Sequence, residues 1–176
     1  LTDALPAMRS FGPAAPLPVS RSNAEMARDF LDLSFEMESG RRIERMSRFE
    51  GPITVALRGP VPATAGPDLD AVLARMRTEA RIDISRTDGP ASVSIEFVPV
   101  GVLRKLVPTA ACFVVPRVSS FAEYSQDLRN ADLDWTTLDR RDRIAVFIPG
   151  DTSPQEIRDC LHEELAQAIG PLNDLY

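Results

Sequence analysis

Lysine is nearly missing from this chain. Of its 20 basic residues only Lys105 is a lysine, and 26 acidic residues leave a net charge of −6. A general nucleic-acid binder carries a basic face, so that class is disfavoured by the charge balance. Histidine occurs once, as His162. The H-E-x-x-H helix of zinc hydrolases needs two histidines on one face, so that motif is excluded in its usual form. No apolar run approaches the roughly 18–20 residues of a membrane-spanning helix. Cysteine occurs twice, as Cys112 and Cys160. These residues admit two readings, a pair of free buried thiols or a single bridge. A bridge would close a loop of about 49 residues, stabilise by about 4 kcal/mol and require an oxidising compartment.

What remains suits one globular domain. The 176 residues are 44% hydrophobic, enough for a real core. Residues 1–20 carry four prolines and no sustained period, which predicts an extended arm. A chain opening at Leu1 is expected to be a processed product, with the arm able to tether the domain to a membrane or wrap over it. Residues 21–176 are expected to form a single domain.

Local patterns predict its elements. Ser22 and Glu25 make a capping box, and Met26, Phe30, Leu33 and Met37 follow at helical spacing, giving a helix over 23–37 that ends before Gly40. Residues 42–49 alternate, as do Ile53, Val55 and Leu57, which predicts two strands joined through Gly51-Pro52. A second helix is expected from Pro67 with Leu69, Val72, Leu73 and Met76 on its apolar stripe. Strands are expected at RIDISR, SVSIEFVPV, Ala110–Val115 and Arg143–Ile148, with one or two helical turns at 102–107 and a polar stretch at 119–142 around the sole Trp135. This order predicts an α+β fold, helices packed on a twisted mixed sheet, with its last helix at the C-terminal end.

The last helix carries the chemistry. Ser153, Pro154 and Glu156 form a strong start, and Gly170-Pro171 a stop. On a wheel of about 100° per residue, Leu161, Leu165 and Ala168 share a stripe with Ile157, and Glu164 falls roughly 20° from Ile157, inside the apolar arc. His162 falls at about 140°, on the far edge of the stripe. A carboxylate at an interior position must be paired, hydrogen-bonded or protonated, and such groups mark functional sites. Bridging to one of the many arginines is the competing explanation for Glu164.

Read from Glu163, the string E-E-L-A-Q-A-I-G matches H-E-x-x-H-x-x-G with Glu163 and Gln167 in the two histidine positions and Glu164 in that of the base. The third-ligand position of the long pattern falls on Asn173. The helix therefore resembles a metzincin active-site helix with its zinc ligands replaced, and the order of elements before it resembles a zincin half-domain. Amide and carboxylate oxygens are poor substitutes for imidazole at zinc, so no zinc is expected. The oxygen set Glu163, Gln167 and Asn173 could instead hold calcium or manganese, with Glu164 as general base.

The segments SNAEMARDFLDLSFEMESGR, RFEGPITVALRG and CLHEELAQAIGPLNDLY also resemble the bacterial domain of unknown function 2927 family. That resemblance spans most of residues 22–176. It implies an exported protein or lipoprotein facing the periplasm, without an established activity and with a continuation beyond Tyr176. The E-E-x-x-Q-x-x-G-x-x-N-D pattern and the preceding cysteine belong to the same resemblance, and they favour the Cys112–Cys160 bridge. Three functions follow as expectations. The first is a catalytically degenerate zincin-like module that binds an envelope protein or peptide, the second a purely structural exported domain, and the third a hydrolase using Glu164.

Overall fold

A computed structural model of the chain describes residues 9, 10, 18, 20–126, 128 and 133–174. The proline-rich arm at 1–20 lies almost wholly outside them. Of its described residues, Arg9 touches the body of the protein: its N–H donates to Gln155 and its carbonyl accepts from Arg158.

Five strands form one mixed sheet among the described residues. They are β1 (Ile53–Arg58), β2 (Ile84–Arg86), β3 (Val93–Val98), β4 (Phe113–Pro116) and β5 (Ile144–Pro149), in the spatial order β2-β1-β3-β5-β4. The β1–β2, β1–β3 and β3–β5 pairings are parallel, and β4 runs antiparallel along β5 as an edge strand. Among the same residues five α-helices accompany the sheet: α1 (Asn23–Phe35), α2 (Ala65–Glu79), α3 (Val100–Leu106), α4 (Phe121–Gln126) and α5 (Pro154–Ile169). The expected arrangement of helices on a mixed sheet with a C-terminal motif helix is present.

Alternation along the strands builds two apolar layers. Val55, Ile95, Val146 and Ile148 face α2 and α5, where they meet Leu69, Leu73, Leu161 and Leu165. Ala145 and Phe147 face the other way, toward α3 and α4, and pack with Leu103 and Val118. Burial on both faces explains why β5 is buried along its whole length and why it reads as a continuous apolar run. At roughly 25 cal/mol per Å² of buried apolar area, the first of these layers supplies the main drive for docking α5.

Two expectations are corrected. Residues 42–49 do not form a strand; they are irregular, with a bend at Glu44 and Arg45 and a single bridge between Glu36 and Arg42. The alternation of residue types is not matched by burial: Ile43 and Ser47 are buried four residues apart, and Arg45 between them is exposed. The first helix ends at Phe35 rather than at residue 37, and its Ser22–Glu25 capping box forms as expected. Its apolar stripe is not core throughout: Met26 and Phe30 are exposed, because no described element packs on the first turns of the helix.

Candidate functional site

Helix α5 is where the sequence and the fold converge. Ser153 caps it, Glu156 completes the capping box and Pro154 opens the first turn. Its buried side chains include Ile157, Leu161, Leu165 and Ala168 on the sheet side, and with them Cys160, Glu164 and Gln167. Cys160 is bonded to Cys112, immediately before β4, at a Cα–Cα distance of 6.0 Å. The bridge ties the start of the edge strand to α5 one turn ahead of Glu164.

Between these two elements lies a cavity of about 420 Å³. One wall is the chain from Thr109 to Val114, entering β4; the other is α5, with Glu163, Glu164 and Gln167. Trp135 and Leu172 supply apolar surface, and Met37, Glu38 and Ser39 close it on the side of α1. Glu164 is only 4% exposed. Its Oε2 has no hydrogen-bond partner among the described residues. Burial, and then the carboxylates of Glu163 and Glu38, push its carboxyl up to about 8. The arginine bridge that could have explained a buried Glu164 is not formed among the described residues.

The neighbouring positions differ from one another. Glu163 is exposed at the rim, and partial burial together with Glu38, Asp174 and Asp159 holds its carboxyl above the usual range. Gln167 is buried, and its side-chain amide donates to Glu38. Asn173 is not among the cavity-lining residues; its amide donates to the carbonyl of Asp32 at 3.3 Å. So Glu163, Glu164 and Gln167 come together and Asn173 stands apart. His162 faces a different hollow, beside Arg75 and Met76 of α2.

The family profile described as "Protein of unknown function (DUF2927)" matches residues 23–176. The chain belongs to this family. No curated protein matches it. The match takes in every element that borders the cavity, from the end of α1 to the residues after α5.

In this DUF2927 chain the donor set does not fit zinc. The positions that would ligate it carry a carboxylate and two amide side chains, oxygen donors where zinc favours imidazole nitrogen or thiolate sulfur. Cys112 Sγ lies within 4.8 Å of carboxylate oxygens of Glu163 and Glu164, but it is bonded to Cys160 and offers no thiolate.

One residue outside the motif holds the helix in place. Gly170 ends α5 at φ −149°, outside the left-handed geometry that usually satisfies the last carbonyls. Arg141 takes that role. It is 3% exposed, and it donates to the carbonyl of Gln167 and, at 2.6 Å, to that of Gly170. Its guanidinium also lies 5.0 Å from the Trp135 ring, and burial lowers its pKa to about 10. A cation at the helix C-terminus is further favoured by the helix dipole.

The sequence signal for Arg141 is weak, since it sits in the charged run Arg140-Arg141-Asp142-Arg143 with no period to single it out. No local pattern marks Glu38, and Asp174 is signalled only as the last letter of the N-D pair in the family pattern. Arg141→Lys keeps the charge and loses the two-pronged geometry. Urea denaturation is expected to show a loss of about 1–2 kcal/mol, and a change below about 0.5 kcal/mol would contradict the capping role.

Proposed function

We propose that this domain is a non-catalytic binding module of the cell envelope, taking an extended peptide segment into the cavity between β4 and α5. The observation that carries the reading is the juxtaposition of an open sheet edge with a buried, unpartnered acid. Strand β4 has one sheet neighbour, β5, among the described residues. An edge strand presents backbone N–H and C=O groups that an added strand can pair with. Beneath that edge, the raised value of Glu164 leaves its carboxyl mostly protonated at neutral pH, so it can donate a hydrogen bond to a ligand oxygen. Trp135 and Leu172 offer apolar contact to a side chain entering the cavity. The Cys112–Cys160 bridge supports an oxidising, extracytoplasmic setting.

A hydrolase reading is the alternative, and it too is motivated by Glu164. There Glu164 would take a proton from a water whose oxygen adds to a peptide carbonyl, then return it to the departing amine as the C–N bond breaks. A carboxyl that is mostly protonated at pH 7 suits a hydrogen-bond donor better than a base.

Selection from a displayed library of random extended peptides tests the proposal. Ala111 is exposed at the cavity, so Ala111→Trp plugs the cavity without touching the core. Enriched peptides are expected to bind the wild-type chain and to lose at least about tenfold in affinity, or roughly 1.4 kcal/mol, with the plugged variant. No enrichment, or equal binding to Ala111→Trp, would contradict it. Cleavage of the selected peptides by the wild type but not by Glu164→Gln would favour the hydrolase instead.

A further inference from the structure

We propose that Glu38, Glu163 and Asp174 form a site for a hard divalent cation of calcium type at the rim of the cavity. The three residues come from separate places: Glu38 from the turn after α1, Glu163 from α5, and Asp174 from the segment beyond it. One carboxylate oxygen from each lies within 4.8 Å of the other two. Calcium holds oxygen ligands at about 2.3–2.6 Å, so oxygens spaced up to about 5 Å apart can share one ion. None of the three is ion-paired with an arginine or lysine among the described residues.

A second, independent feature points the same way. The neighbouring Glu164 is 4% exposed, lines the same cavity and leaves its Oε2 without a partner. One oxygen of Glu164 lies within 4.8 Å of one of Glu163, so the unpartnered acid faces the ligand set, while the three rim carboxylates, with no arginine or lysine paired to them among the described residues, carry the charge that draws the cation. The donor chemistry selects the ion. All three ligands are carboxylate oxygens, which suit calcium and not the nitrogen and sulfur preference of zinc. They stand on separate segments at an exposed rim, where water completes the shell, and calcium tolerates such irregular geometry better than magnesium does. Gln167 steadies the site by donating to Glu38.

The site does not depend on the peptide reading, and the test contains no peptide. The full chain is stripped with EDTA, dialysed and titrated with calcium chloride by calorimetry, with thermal melting in parallel. Saturable binding is expected at a Kd of about 10⁻⁴–10⁻³ M, the range of exposed, weak calcium sites, with a calcium-dependent rise in Tm. Glu38→Gln and Asp174→Asn should each weaken binding at least about tenfold, and Glu44→Gln, an exposed acid elsewhere, should leave it unchanged. Removing an acid from a like-charged cluster should leave the metal-free Tm at or above that of the wild type. That Tm is measured first, so that lost binding is not confused with lost folding. The inference is overturned by an absence of saturable binding up to about 10 mM calcium, by unchanged affinity in both variants, or by magnesium binding as tightly as calcium.

Discussion

Reducing the Cys112–Cys160 bridge, or replacing both cysteines with alanine, is expected to lower stability by about 4 kcal/mol. The bridge joins residues 48 apart in sequence, and opening a loop of that length frees much of the conformational freedom the cross-link had removed from the unfolded chain. The loss should also be local. The bridge connects the segment entering β4 to α5, the two walls of the cavity. Amide hydrogen exchange after reduction should therefore rise first at Ala110–Val114 and in the middle of α5, before it rises in β1 and β3. Urea denaturation with and without reductant gives the magnitude. A difference under about 1 kcal/mol would show that the bridge is not a main stabiliser.

The second large effect belongs to Glu164. Its carboxyl stands at about 8 in the folded chain against an ordinary 4.5. Between those values the folded chain keeps a proton that the unfolded chain has released, so stability falls as pH rises. The full stability is present below about pH 4.5, and the decline levels off above about pH 8. At 1.36 kcal/mol per pKa unit the whole step is on the order of 4–5 kcal/mol. Glu164→Gln removes the titration and keeps the shape. Measured in EDTA, the variant should be close to the wild type at pH 4.5 and several kcal/mol more stable at pH 8.5, on the order of the step itself. Glu163 is shifted in the same direction, so the comparison that matters is the difference between the two proteins at each pH. Parallel pH profiles would contradict a buried, raised Glu164.

Much of this was legible in the sequence wherever a single period or cap decided the outcome. The α5 capping box, the β1, β3 and β5 strands and the interior position of Glu164 all follow from spacing alone. Glu164 could be found because helical periodicity assigned it to the core, and a carboxylate conflicts with that assignment. At residues 42–49 the alternation of residue types has no counterpart in burial, because a segment held to the core at Ile43 and Ser47 buries about one side chain in four and pairs with no strand. Met26 and Phe30 misled because a stripe predicts an apolar face and not the element that covers it. Glu38, Asp174 and Arg141 were illegible for a different reason. Each acts through residues far away in the chain, and no local pattern reports which loops the fold will bring beside α5.

In the proposed function a protonated Glu164 forms the floor of a ligand-binding cavity. Carbon-13 NMR of the glutamate carboxyls, assigned by comparison with Glu164→Gln and recorded in EDTA, reads that proton at its own site. Glu164 is expected to titrate near 8 in the free chain, and a peptide selected on the wild-type domain is expected to shift its resonance and its midpoint. A midpoint in the ordinary carboxylate range near 4.5, unmoved by that peptide, would contradict it.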